Sequence, residues 1–596
     1  MRKIKKAINL YKREGVRVAS KKIIHKIIYH VIKAKRNTCS RISYNEWFNK
    51  NSVTKLDLSK QKKHNFKIKP LISIVVPTYN TQIFFLIQMV NSVISQSYGN
   101  WELCIADASS DLRVREELDK FSNKYSNIKV LKLNENLMIS ENTNRAINMA
   151  NGDYVAFLDH DDMLAPDCLY EFVNAINENS LPEMLYSDED VINGKNIHIR
   201  PHLKPDWSPH LLLSYNYITH FLMVRKDVLD AVDGLRSATD GAQDYDLILR
   251  LSNISQKIVH VSKILYHWRE SDQSTASNAE SKPYADGAGL KALNEYLLHQ
   301  DQIKNAKFAS GEHLFTYRLL RSIDQSIKVS IIIPTKDGLE YLKTCVESIL
   351  NESTYLNYEI IIMDNNSEKE ETKLWFREIV KNNKIKVVEA NYEFNWSRLN
   401  NHGISVASGD VFIFLNNDTK VITPNWIEEL VSYALDKNVG IVGALLLYKD
   451  KTIQHAGVVV GIGGFADHIY KGEFPTHYPS PFVSNVVLRN VLAVTGACMT
   501  ISRFVIDEIG GFNEEFIICG SDVEICLRAY EAGLYNVYTP WARLYHYESK
   551  TRSKYIPEVD FIQSKKSYRK YLKSGDPFYN SNLDYTSFIV QMRENQ

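Results

Sequence analysis

The chain has 596 residues, of which 44% are apolar, 24% charged and 11% aromatic. That composition excludes a disordered chain, a collagen and a mucin-like stalk, and the length exceeds one compact domain. Net charge is only +2, but residues 1–36 hold 13 Lys/Arg and one acid, so the remainder carries about −10 and does not read as a nucleic-acid binder.

The first predicted element is that basic arm. Ile4, Ile8 and Tyr11, then Ile23, Ile24, Ile27, Ile28, Val31 and Ile32, recur at helical spacings. Two readings fit: a helix lying on an anionic membrane surface, or one packed on its own domain with a solvated basic face. The arm lacks the continuous apolar core and small-residue cleavage site of a signal peptide, and no apolar run reaches the roughly 18 residues of a spanning helix. Seven cysteines without a C-x-x-C pair read as reduced thiols of a cytosolic protein. Sequons at Asn365 and Asn417 fall inside predicted site segments, which argues against a glycosylating compartment.

The body then repeats itself. Pro77 and Pro334, Asp107 and Asp364, Gly152 and Gly409, and Asp161 and Asp418 are each separated by 257 residues. One offset shared by four anchors indicates duplication of a whole domain, because solenoid periods are several times shorter. Apolar β-branched runs predict strands at 74–76, 102–105, 128–133 and 154–158, with helices near 83–97, 112–124 and 141–150. Strands at 330–333, 358–363, 385–388 and 411–415 match them in the second copy. Alternating β and α with apolar strands predicts an α/β fold with a mostly parallel sheet in each copy, and ligands beyond the strand carboxyl ends. The predicted boundaries are 1–66 for the arm and lead-in, 70–275 and 327–552 for the two domains, 276–326 for a connector with a helix at 283–299, and 553–596 for a helix and tail.

Acidic residues cluster at those strand ends. In YVAFLDHDD, Asp159 and Asp161 stand two apart after a strand, so both can face one side of a cleft and hold Mg²⁺ or Mn²⁺ with a diphosphate. An acidic turn is the bland alternative. Asp244 in GAQDYDLILRL and Asp522 in CGSDVEICLRA open helical segments, as general bases or as dipole-favoured carboxylates. His267 in ILYHWRE and His546 in RLYHYES follow strands and suit the shell of a borderline metal. The offset grows to 278 at the base, which places 21 extra residues between about 450 and 490. There Gly461, Gly463 and Ala466 have G-x-G-x-x-A spacing, but neither the helix nor the acid of a dinucleotide site follows, and a flexible loop is expected. The pair His198/His202 near His210 is a weak zinc candidate, without cysteines or HExxH context.

In order along the chain these motifs resemble family 2 glycosyltransferases of the GT-A fold, duplicated in one chain over about 70–552. SIVVPTYN and SIIIPTKD, ADASS and MDNNS, LDHDD and LNNDT, and QDYDLILR and SDVEICLR carry the resemblance. YSDED (186–190), KPDW, YHWR, TIQHAG, VTGAC and YHYES add to it, and the pattern looks like the tandem transferases of bacterial O-antigen and capsule assembly. The resemblance implies nucleotide-sugar contacts at Pro77, Thr78, Asp107 and Asp159, and at Pro334, Thr335, Asp364 and Asn416. It implies metal ligands Asp161 and His267, and Asp418 and His546, for Mn²⁺ or Mg²⁺, and bases Asp244 and Asp522. The partners it implies are nucleotide-diphosphate sugar donors and a glycan or lipid-linked glycan acceptor, handled in the cytoplasm at the inner face of the membrane. Asn416 departs from Asp159 of the first copy: an amide still bonds a ribose hydroxyl but removes one negative charge. One base and a metal-held leaving group suit single displacement with inversion, whereas glycoside hydrolysis needs a carboxyl pair flanking the bond. One active domain beside a binding module is the alternative. A nucleotidyltransferase would need a glycine-rich basic loop where PTYNTQ and PTKDGL stand.

Overall fold

The computed structural model describes residues 43–270, 283–300, 306–477, 481–547 and 556–594. The arm predicted over 1–36 lies outside the described residues. Two large sheets organise the chain. The first contains β1 (Ile72–Thr78), β2 (Trp101–Asp107), β3 (Ile128–Lys132), β4 (Tyr154–Phe157), β5 (Met163–Leu164), β6 (Met184–Ile192), β7 (His198–His202), β8 (Leu222–Arg225) and β9 (Ile258–Arg269). Its order is β3-β2-β1-β4-β8-β6-β9-β5, with β7 beside β6. The first four strands are parallel, β8 runs antiparallel between β4 and β6, and β9 is parallel to β6.

A ribbon of β10 (Ala306–Ser310) and β11 (Tyr317–Arg321) and the helix Pro283–Leu297 connect the sheets. The second sheet opens with β12 (Val329–Thr335), β13 (Tyr358–Asp364), β14 (Ile385–Glu389), β15 (Val411–Leu415), β16 (Thr419–Val421) and β17 (Val439–Leu447). After β17 come β18 (Ile453–His455), β19 (Val458–Val460), β20 (Ala466–His468), β21 (Arg489–Asn490), β22 (Cys498–Ser502) and β23 (Tyr535–His546), of which β19 and β20 pair with each other in a separate two-stranded sheet. The order β14-β13-β12-β15-β22-β17-β23-β16 repeats that of the first sheet.

Every strand predicted from the apolar runs forms. Ile72, Ile74, Val75 and Val76 are fully buried, as are Val329, Ile331, Ile332 and Ile333, because helices cover both faces. The duplicated glycines have a steric cause. A Cβ on Gly152 would lie 2.6 Å from Ser73 Oγ, and one on Gly409 2.6 Å from Ser330 Oγ. Each glycine N–H donates to that hydroxyl, at 2.8 and 2.9 Å, and each serine donates to a buried glutamate, Glu102 or Glu359.

The segment expected to be a flexible loop is instead built structure. Residues 453–468 form β18–β20 and a short 3-10 turn at Ile462–Gly464, with Ile453, Val460 and Ile462 buried. Val458, Val459 and Val460 form a consecutive β-branched run, and all three are buried. A strand, not a helix, follows the glycines.

The domains share one apolar core across their junction, with Leu203, Leu211 and Tyr217 of the first beside Val487 and Leu488 of the second. Polar bonds line the same seam. Asn490 Oδ1 accepts from Ser208 Oγ and from the His210 backbone N–H, both at 3.0 Å. After the helix Glu558–Ser574, the tail crosses back to the first domain. Asn580 Nδ2 donates to both Asp188 oxygens, at 3.0 and 2.9 Å, and the Pro577 carbonyl accepts from Asp206 N–H at 2.8 Å. The six described cysteines are all free. Among the described residues no helix is long and apolar enough to cross a membrane.

Candidate active sites

In the second domain, Pro334, Thr335, Asn416, Asp418, Asp522 and His546 line one cleft of about 650 Å³ at the strand carboxyl ends. Thr335 ends β12: its hydroxyl accepts from Asn417 Nδ2 at 2.9 Å and its carbonyl from Asn365 N–H at 2.8 Å. Asp364 ends β13 and accepts from Ser367 N–H at 3.0 Å, while its neighbour Asn365 forms part of the cleft wall. Both sequon asparagines, Asn365 and Asn417, are buried here.

Antiparallel register sets the next pair. Thr419 lies opposite His546, which brings His546 Nε2 to 3.3 Å from Asp418 Oδ1 and 3.4 Å from Asn416 Nδ2. Asp418 and His546 are buried, and His546 Nδ1 has no hydrogen-bond partner among the described residues. A carboxylate oxygen facing an imidazole nitrogen fits Mn²⁺, and the oxygen donors also suit Mg²⁺.

Asp522 stands in the first turn of the helix Ser521–Glu531, whose N-cap is Gly520. It is therefore not the capping residue. Its Oδ2 accepts from Gly496 N–H and its Oδ1 from Val523 N–H, both at 2.9 Å, and the helix dipole favours its charge. Gly496 permits this approach: a Cβ there would meet the Trp396 ring at 2.7 Å and Asp522 Cβ at 3.3 Å.

The first domain has the same frame and different contents. Pro77 and Thr78 end β1, and Thr78 Oγ1 donates to Asp107 Oδ1 at 2.8 Å. Asp107 is fully buried, with Arg115 Nε 3.6 Å from its other oxygen. Asp159 faces His220, with Oδ2 3.5 Å from Nε2. Ligand atoms of Asp159, Asp162 and His220 all lie within 4.8 Å of one another. Asp162 is buried and accepts from Tyr266 Oη at 2.5 Å and Arg269 N–H at 2.7 Å. Asp161 stands outside that group, 3.8 Å from His160 Nδ1, and its carbonyl accepts from Arg269 Nε at 2.8 Å. Asp244 accepts from Asn216 Nδ2 at 2.9 Å. Burial raises its carboxyl above the usual range, with the charge of His220 opposing.

His267 does not meet Asp161 as the motif predicts. Its Nδ1 lies 2.7 Å from Asp190 Oδ1, and His198 Nδ1 and Tyr44 Oη bond the other Asp190 oxygen at 2.6 and 2.7 Å. The cause is register. Met163 pairs with His267, but its counterpart Lys420 pairs with Tyr545. The first copy is thus slipped by one residue, Trp268 occupies the position of His546, and a slip of one turns a side chain to the opposite face. His202 bonds Glu189 at 2.8 Å and His210 packs against Asn490, so the three histidines of the zinc candidate have separate partners.

Sequence reasoning gave no role to His220, Asp162 or Glu189. Glu189 is buried and accepts from Thr219 Oγ1 at 2.9 Å and His220 N–H at 3.0 Å, with Lys204 Nζ 3.4 Å away. Burial works against its charge, but Lys204, His202 and His220 hold its carboxyl well below the usual range. The available signal was the second copy: the strand registers place Asp188, Glu189 and Asp190 where Leu445, Leu446 and Leu447 stand. Acids replacing aliphatics on a fully buried strand need partners, and five histidines and a lysine supply them.

A family model described as "Glycosyl transferase family 2" matches residues 73–232 and 330–510, more than half of the chain. The chain belongs to glycosyl transferase family 2. The two matched regions open its two GT-A type α/β domains. Among relatives, the O-antigen biosynthesis protein RfbC of Myxococcus xanthus is 39% identical over 528 residues, covering 88% of this chain and 41% of that protein. The uncharacterized protein y4gI of Sinorhizobium fredii is 39% identical over 531 residues, covering 86% of this chain and 58% of that protein. The family 2 chain thus spans about half the length of these relatives. Among solved structures, GalNAc-T7 with UDP, GalNAc and Mn²⁺ is similar with a TM-score of 0.35 and 19% identity, over 44% of this chain and 53% of that one. Residues 1–349 of S. aureus TarS give a TM-score of 0.30 and 19% identity, over 39% and 73%.

Proposed function

We propose that the chain transfers sugars, with inversion, from nucleotide-diphosphate donors to a growing cell-surface glycan, and that the second domain is a working site. The observation carrying this reading is that Asp418, His546 and Asp522 line one cleft with the strand-end residues Pro334 and Thr335. The nucleotide lies over Pro334, Thr335 and Asp364, with Asn416 bonding the ribose. Asp418 and His546 would hold Mn²⁺ or Mg²⁺, which when bound would neutralise charge developing on the diphosphate leaving group. Asp522 takes the proton of the acceptor hydroxyl as that oxygen attacks the anomeric carbon. The nucleoside diphosphate departs from the opposite face, which inverts the configuration.

The first domain retains Asp159, Asp161 and Asp244, which supports a second transfer site. Trp268 at the position of His546 favours the other reading, a domain that holds nucleotide or glycan without transferring. The name of the M. xanthus relative supports O-antigen or a similar polysaccharide as product, assembled on a glycan or lipid-linked acceptor at the cytoplasmic face of the membrane. To test the reading, the purified chain is incubated with a panel of nucleotide sugars and Mn²⁺, and nucleoside diphosphate release is measured. At least one donor should turn over, chelation should abolish it, and Asp418→Ala should lose turnover of the second domain's donor even in excess Mn²⁺. Full turnover by Asp418→Ala would remove the metal assignment.

A further inference from the structure

The helix Glu558–Ser574 has two unlike faces. Asp560, Ser564, Tyr568 and Tyr571 recur every three or four residues and are buried against the second domain. Asp560 anchors this face by accepting from the backbone N–H groups of Ile517, Ile518 and Cys519 at 2.7, 2.9 and 3.1 Å. The opposite face is exposed and carries Lys565, Lys566, Arg569, Lys570 and Lys573. Glu558 is its one exposed acid. Lys570 lies 3.5 Å from Glu531, while the other four cations have no ion pair among the described residues.

Apolar side chains sit among those cations. Phe561 is 40% exposed, Ile562 56% and Leu572 38%. Five cations interleaved with three exposed apolar groups on one helical face form the pattern of an interfacial helix: apolar groups enter the acyl boundary while cations meet lipid phosphates. Its position relates it to the chemistry. Phe561, Ser564 and Tyr568 line the cleft that holds Asp418, Asp522 and His546, and the Phe561 ring packs edge-on against Phe465 on the same wall.

We infer that the exposed face of the helix Glu558–Ser574 docks on an anionic phospholipid surface, setting the mouth of the second-domain cleft against the bilayer. Charge complementarity selects this occupant: a row of five exposed cations, four of them without an ion pair among the described residues, matches lipid phosphates, and the interleaved Phe561 and Ile562 match the acyl boundary. A lipid-linked acceptor would then reach Asp522 from the bilayer without leaving it. That consequence rests on the transferase reading; the docking face itself does not.

Flotation of the full chain with vesicles separates the possibilities. The vesicles are phosphatidylcholine, alone or with about a third phosphatidylglycerol, and no sugar donor is present. The parent should float with the anionic vesicles and much less with the neutral ones. The variant K565Q/K566Q/R569Q alters exposed residues outside the cleft and leaves residues 1–36 intact. Its partition should fall about tenfold or more. Ile562→Ser, which changes no charge, should also weaken partition. If both variants float like the parent, the N-terminal arm does all the binding and the inference is overturned. Indifference of the parent to phosphatidylglycerol overturns it equally. Since flotation reads no turnover, either result leaves the transferase proposal to its own test.

Discussion

Asp522 and Gly496 show what single residues decide at this site. The Gly496 N–H holds one oxygen of Asp522, and the absent Cβ leaves room for Trp396. Gly496→Ala should therefore force the indole and the carboxylate apart, an overpacking change worth about 1–3 kcal/mol. We expect slower transfer by the second domain with nucleotide binding retained, since Thr335 and Asn416 reach the cleft from other strands. Initial rates and calorimetric nucleotide affinity check this together; an unchanged rate would mean that Asp522 needs no such placement. The carboxylates were legible because duplication marks them twice, Asp161 and Asp418 after strands and Asp244 and Asp522 at helix starts. His220 was not, because its position in the second copy is held by Ala497, a residue with no chemistry to notice. The orientation of His267 was hidden for another reason: motif matching counts residues, whereas orientation depends on pairing, and Met163 and Lys420 pair one residue apart.

At the scale of elements, β6 and the C-terminal tail depend on each other. Asp188 on β6 accepts from His260 Nε2 at 2.9 Å and from Asn580 of the tail, and His260 Nδ1 lies 3.1 Å from Asp206. Burial disfavours the charged ring, but the charge of Asp188 and the hydrogen bonds of both aspartates overcome it and hold the His260 pKa at about 9. An unfolded histidine titrates near 6.5. The folded value is raised, so this stabilisation is complete below about pH 6.5 and is lost as pH rises through about 9. The melting temperature of the parent should fall between those limits, and His260→Gln should flatten that part of the curve. Parallel curves would show that the pair does not contribute. Asn580→Ala leaves the buried Asp188 short of donors, which should cost about 1–3 kcal/mol in denaturant unfolding and expose the tail to protease. The strands of both domains were readable because β-branched runs buried on both faces have few alternatives. The 453–468 strands were not, since their glycines suggested a loop and their burial depends on partners far along the chain.

For the whole molecule, duplication set the architecture and divergence gave the two copies different contents at their strand ends. The two sheets share a strand order, but the second gathers a carboxylate, an imidazole and a helix-start aspartate around a cleft, and the first buries a carboxylate–histidine network instead. The junction was invisible in sequence, because the shared core and the returning tail join residues hundreds of positions apart, as Asn580 joins Asp188. The most direct test of the central claim compares nucleoside diphosphate release and calorimetric nucleotide binding in the parent, Asp522→Asn and Asp244→Asn. The account predicts that Asp522→Asn binds nucleotide normally yet transfers about 10²–10⁴ times more slowly with the donor of the second domain. Turnover of that donor at the parental rate by Asp522→Asn, with Asp244→Asn the slow variant instead, would contradict it.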